Sequence, residues 1–280
     1  MENGSKINWF PGHMRKAMKR TEEDVKLCDG VIYVVDARAP FACINEKLTS
    51  LFLNKPVVYC INKRDTIDEG AERRIGEKFA EKGMYFVFSD AFSKKDAEKI
   101  KSACVFALKE KIERDRLKGV KRPLRFMVAG IPNTGKSTLI NSLCGRKSAE
   151  TGDKAGVTRA NKWVKTGDIE LLDTPGTMPP NMQDQTHARH LAYIGAINDD
   201  ILDAEEIALK LIEELGVVAP AAIKEKYGVE TENATPLEIL DGICRKRGFL
   251  LKGGEKDYER GAKAIVDDLR KQRLGKICFE

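Results

Sequence analysis

The chain lacks the patterns that build disulfide, zinc and membrane structures. Its seven cysteines are scattered and odd in number, with no C-x-x-C pair, which argues against a disulfide framework and against a zinc site. Cys60, inside the apolar run VVYCI (57–61), reads as a buried small hydrophobe. No stretch approaches the roughly eighteen apolar residues of a membrane span. The opening MENGSKINWF has neither the apolar segment nor the cleavage pattern of a signal peptide. A cytoplasmic protein with no membrane partner is the expectation. Internal repeats and low-complexity segments are also missing, so repeat arrays and disordered tracts are excluded.

What remains is ordinary globular composition. With 42% hydrophobic and 33% charged residues, 280 positions suffice for one large or two modest domains, each with a core of its own. The formal net charge of +6 permits a polyanionic partner without demanding one.

Five apolar runs punctuate the first 178 residues: VIYVVDA (31–37), PVVYCIN (56–62), MYFVFS (84–89), LRFMVAG (124–130) and IELLDTPG (169–176). Each is short, rich in β-branched or aromatic residues, and ends at a turn-former, as buried parallel strands do. The segments between them, such as 68–82 and 94–118, are long enough for crossover helices. The pattern predicts an α/β domain over 1–178 with a doubly wound, mostly parallel sheet.

After TMPPNMQDQ (177–185) the texture turns helical, with apolar periodicity over 203–215, 237–247 and 257–274. TPLE (235–238) combines a capping box with proline at the first helical position. From Arg245 to Lys276 there are eleven Lys/Arg against five acids. Residues 183–280 therefore read as a separate all-helical domain with a basic end.

Two motifs carry chemistry, and they stand in an unusual order. Residues 130–138 read GIPNTGKST and fit the phosphate-binding pattern G-x-x-x-x-G-K-[ST], between an apolar strand and a helix as the motif requires. Its backbone N–H groups, from Asn133 through Thr134 and Gly135 to Thr138, would nest the phosphates at a helix N-terminus. Lys136 would reach the β- and γ-phosphates, and Ser137 would ligate Mg²⁺. Asp173 and Gly176 in LLDTPG (171–176) add a strand-end carboxylate for Mg²⁺ and an N–H for the γ-phosphate. Thr158 in AGVTR (155–159) is placed to close the Mg²⁺ shell.

The second motif, NKRD (62–65), follows the strand PVVYCI. A carboxylate at Asp65 accepts both guanine N1–H and the 2-amino group, donors that adenine does not offer. Asn62 and Lys63 complete the loop. Ser89, Asp90 and Ala91, after the next strand, sit where a backbone N–H meets the guanine oxygen. In most GTPases the phosphate loop comes first. Here the order is a cyclic permutation with nothing missing, which a parallel sheet tolerates because strands pair by position in space. GTP and GDP are the implied ligands.

With these motifs, the opening INWFPGHMRKA (7–17), DARAP (36–40) and the helical tail, the chain resembles over its whole length the circularly permuted GTPases, specifically the ribosome biogenesis GTPase A family. The resemblance implies GTP hydrolysis coupled to late assembly of the large ribosomal subunit, with the subunit precursor and its RNA as partners, and an RNA-binding helical domain. The protein is expected to be a monomer. Thr177 follows Gly176 where many GTPases carry a water-orienting Gln, so another group must position the water. By resemblance His13 lies near the nucleotide and is the candidate; the other reading is that it contacts RNA or packs a turn. Arg15, Lys16, Lys19 and Arg20, beside Trp9 and Phe10, either touch ribosomal RNA or form a solvated helix face. In similar phosphate loops an Asn at the position of Asn133 binds K⁺; the alternative is a loop-stabilising side chain. His187 and His190 read as structural. Two rival functions stand beside this one: a P-loop ATPase or kinase, which leaves NKRD unexplained, and an RNA-binding scaffold holding GTP as a near-static ligand.

Overall fold

A computed structural model describes residues 7, 12–145, 162–179 and 182–280, with the side chain of His13 excepted. Trp9, Phe10 and Thr158 lie outside the described residues. One six-stranded sheet organises the chain. Its strands are β1 (Gly30–Asp36), β2 (Val57–Asn62), β3 (Phe86–Phe88), β4 (Leu124–Ala129), β5 (Lys162–Thr166) and β6 (Ile169–Asp173), in the spatial order β3-β2-β1-β4-β6-β5. All pairings are parallel except β5 with β6.

Alternation along the strands feeds two layers. Val31, Tyr33 and Val35 face one side with Tyr59, Ile61 and Met127. Ile32 and Val34 face the other with Cys60, Phe126 and Val128. Burial of such side chains on both faces is why the strands read as continuous apolar runs. Helices α4 (Lys94–Ala107) and α6 (Lys136–Cys144) cover the second face. The first face is covered by α3 (Glu69–Glu81) together with the short α2 (Glu46–Thr49), and α1 (Gly12–Asp24) adds the buried Met14.

Two features go beyond what the sequence pattern predicts. The stretch 94–118 is two helices, α4 and α5 (Lys109–Leu117), because Leu108 turns into the core while α5 buries no residue at all. The strand β5 was not expected, since within KWVKT only Val164 is buried. An antiparallel edge strand with one buried residue has no run to read.

The C-terminal helices are α7 (Gln185–Tyr193), α8 (Ala204–Val218), α9 (Ala222–Tyr227), α10 (Pro236–Arg247) and α11 (Tyr258–Arg270). Asp203 and Asp257, expected inside helices, are instead the N-caps of α8 and α11. The capping box of Thr235 and Glu238 is formed and pairs two backbone N–H groups that the start of α10 would otherwise leave open. Ala188, Leu191, Leu211 and Ile265 join the same hydrophobic cluster as Tyr33 and Val35, so these helices pack onto the sheet's first face through a shared core.

Candidate nucleotide site

In a parallel sheet every strand ends at the same edge. The register sets Asp36 of β1 beside Asn62 of β2, and Val128 of β4 beside Asp173 of β6. The loops after β2, β4 and β6 therefore meet at one crevice, whatever their order in the chain, where such sheets bind ligands.

The phosphate loop leaves β4 and returns into α6 through two left-handed residues, Asn133 at φ 60° and Gly135 at φ 91°. A Cβ on Gly135 would lie 2.3 Å from Asn62 Nδ2. That close approach is productive: Asn62 Nδ2 donates to the Thr134 carbonyl at 2.9 Å, and Ser89 Oγ donates to Asn62 Oδ1 at 3.3 Å. Lys63, itself left-handed at φ 60°, donates its Nζ to the Asn133 carbonyl at 2.9 Å. NKRD and the phosphate loop are thus laced together by side chain to backbone bonds. Gly176 closes the other flank, where an added Cβ would lie 2.6 Å from the Pro132 nitrogen.

Lys136 is buried and donates from Nζ to the Ile131 carbonyl at 2.6 Å. Burial pulls its pKa down to about 8, against the opposing charge of Asp173. Asp173 is 3% exposed; burial pushes its pKa up to about 6, with Lys136 and Ser137 opposing. Its Oδ2 accepts from Ser137 Oγ at 3.4 Å, while its buried Oδ1 has no hydrogen-bond partner among the described residues. Both ionised side chains are strained by desolvation, a state that a polyphosphate at Lys136 and a hard cation at Asp173 would relieve. The oxygen donors of Ser137 and Asp173 fit Mg²⁺.

On the base side, Ser89 and Ala91 are buried, and Asp90 Oδ1 accepts from the Phe92 N–H at 2.9 Å. Asp65 is exposed. Thr177 is 1% exposed, and its backbone carbonyl accepts from Asn45 Nδ2 at 3.3 Å. Asn133 Nδ2 donates to the Gly195 carbonyl at 2.6 Å, so its side chain reaches the turn after α7. His190 is buried against Glu214 at 2.9 Å, and His187 lies within 4.0 Å of Glu280.

Sequence reasoning missed Asp36 and Arg38 as parts of the site. Asp36 is fully buried and paired with Arg38 and Lys63, each at 2.7 Å. These two cations hold its carboxyl far below the usual range against the opposing effect of burial. The trio fixes the Lys63 ammonium between Asp36 and the phosphate loop. A lone Asp at the end of a strand neighbouring NKRD was the available signal.

Among the described residues no helix is long and apolar enough to cross a membrane. The family model described as a 50S ribosome-binding GTPase matches residues 125–234. Ribosome biogenesis GTPase A of Priestia megaterium is 39% identical over 277 residues, covering 98% of this chain and 96% of that protein. The Thermotoga maritima protein of the same name is 28% identical over 275 residues, covering 98% of this chain and 94% of its own length. The solved GNP-bound YlqF from T. maritima superposes with a TM-score of 0.68 at 25% identity, over 95% of this chain and 97% of that one.

Proposed function

The chain belongs to the ribosome biogenesis GTPase A family, and from that premise we propose that it hydrolyses GTP during late maturation of the large ribosomal subunit, binding ribosomal RNA and gaining activity on the subunit. The observation that carries this reading is the pair of bonds from Asn62 and Lys63 to the carbonyls of Thr134 and Asn133. They join two segments in permuted order at one crevice, which supports reading it as a single guanine nucleotide site.

In this reading Asp65 reads the guanine edge, with Ser89, Asp90 and Ala91 beside the guanine oxygen. Asn133, Thr134, Gly135 and Thr138 line the phosphate nest. Lys136 neutralises charge on the β- and γ-phosphates, and the Gly176 N–H meets the γ-phosphate. Ser137 and Asp173 would hold Mg²⁺, Asp173 through water, with Thr158 closing its shell. When bound, Mg²⁺ would neutralise charge developing on the phosphate oxygens. His13 orients the water, since no Gln follows Gly176, and Asn133 would hold K⁺.

Residues 1–178 act as the GTPase domain and 183–280 as the RNA-binding domain. Arg247 and Arg273 pair with Asp268, and Arg270 with Asp199. Lys246, Lys252 and Lys276 form no ion pair among the described residues, which makes them the phosphate-contacting candidates. Sedimentation with purified subunits tests the proposal: the protein loaded with a non-hydrolysable GTP analogue should travel with large subunits and not with small ones. Equal recovery with both, or with neither, would refute it.

A further inference from the structure

The end of α11 contains a residue of the wrong kind for its backbone. Gln272 N–H bonds the Leu269 carbonyl at 3.0 Å and Arg273 N–H bonds the Asp268 carbonyl at 2.8 Å, the paired bonds of a helix terminus whose left-handed residue is ordinarily glycine. Here that residue is Gln272, at φ 58°. A side chain at such a position strains the backbone, and this one is aimed at the nucleotide site. Gln272 Nε2 donates to Asp65 Oδ2 at 3.1 Å. Among the described residues it is the one side chain hydrogen-bonded to that carboxylate.

The turn is held firmly enough for the contact to matter. Two residues earlier, Arg270 donates to the carbonyls of Ala192 at 2.7 Å and Tyr193 at 3.1 Å, and pairs with both oxygens of Asp199. Five residues later, the Ile277 N–H bonds the Thr66 carbonyl at 3.2 Å, next to Asp65 itself. Gln272 therefore projects from a turn fixed on both sides toward an exposed carboxylate that would otherwise rotate in water.

We propose that Gln272 is a positioning residue of the guanine pocket, holding the Asp65 carboxylate with both oxygens toward the base. The inference rests on Asp65 being the guanine reader. One lone pair of Oδ2 goes to Gln272. The other, together with those of Oδ1, stays open to N1–H and the 2-amino group. Fixing the carboxylate favours a two-donor edge over a one-donor edge, so guanine gains over hypoxanthine, which lacks the 2-amino group.

Gln272→Gly is the informative variant because glycine suits the left-handed backbone while deleting the contact. It should melt at or above the wild-type temperature and bind GDP roughly three- to tenfold more weakly. Affinity for IDP should fall less, so the preference for GDP over IDP shrinks. Gln272→Glu, the same length with an acceptor in place of the donor, should lose at least as much. Unchanged GDP affinity and preference in Gln272→Gly would overturn the proposal, as would tighter GDP binding, which would mean that Gln272 competes with the base. Asp65→Asn measured alongside separates the two levels. If it keeps wild-type GDP affinity, the reading of Asp65 fails and the inference with it. If it loses GDP while Gln272→Gly does not, only the role of Gln272 falls.

Discussion

The carboxamide of Asn62 donates to the carbonyl of Thr134 across 2.9 Å, joining two loops 72 positions apart. The bond is buried, so removing the donor leaves a carbonyl in the phosphate loop unpaired. Asn62→Ala should weaken GDP binding roughly ten- to a hundredfold by calorimetry, with little loss of fold. Gly135→Ala should be worse, because its Cβ would meet the same Asn62 nitrogen at 2.3 Å on a backbone at φ 91°. No measurable GDP binding is expected for that variant.

Asp65→Asn reverses part of the acceptor pattern offered to the base. The variant should prefer xanthine to guanine nucleotides, read by competition between XDP and GDP. A variant that still prefers GDP would remove Asp65 from base recognition.

The parallel strands β1, β2, β4 and β6 were legible because most of their side chains are buried on both faces, and β3 because its half-buried FVF run packs against the same cores. The phosphate loop and NKRD were legible since their chemistry demands particular residues at fixed spacing. The edge strand β5 was not legible, having a single buried residue in KWVKT. Nor was the break at Leu108, where no Gly or Pro marks the turn and only tertiary burial decides. The contact of Gln272 with Asp65 was beyond any local pattern, because it depends on how α11 is seated 207 positions away. Asp36 was hidden for a similar reason: Arg38 is a local partner two residues on, but Lys63 is brought to it only by the register of β1 with β2.

His190 supplies a pH dependence of stability. Burial opposes its charge, but the carboxylates of Glu214 and Glu280 outweigh it and push its pKa up to about 9. Around them stand Arg189, which pairs with Glu214 at 3.3 Å, His187 near Glu280, and the Tyr193 hydroxyl bonded to Glu214 at 3.1 Å. A His raised in the folded state stabilises fully below its ordinary value of 6.5, and that contribution is lost as pH rises through about 9. The melting temperature of the wild type should decline between pH 7 and pH 9.5 (roughly the span of this titration). His190→Gln should melt lower at pH 7 and show a flatter profile over that span. Parallel profiles for the two proteins would exclude His190 as the source.

Asn133 is left-handed and reaches the Gly195 carbonyl through Nδ2. Asn133→Gly keeps the backbone at ease while deleting the carboxamide. If Oδ1 ligates K⁺, the wild type should hydrolyse GTP faster in potassium than in sodium, and Asn133→Gly should show no difference between the salts. A retained potassium preference would move the ion elsewhere.

Hydrolysis on the ribosomal particle tests the central claim most directly. Single-turnover GTP cleavage should be slow for the protein alone and accelerate on addition of isolated large ribosomal subunits. His13→Ala should lose most of the gain, on the order of ten- to a thousandfold, with GTP affinity barely changed. A cleavage rate that is the same with and without large subunits would contradict the account.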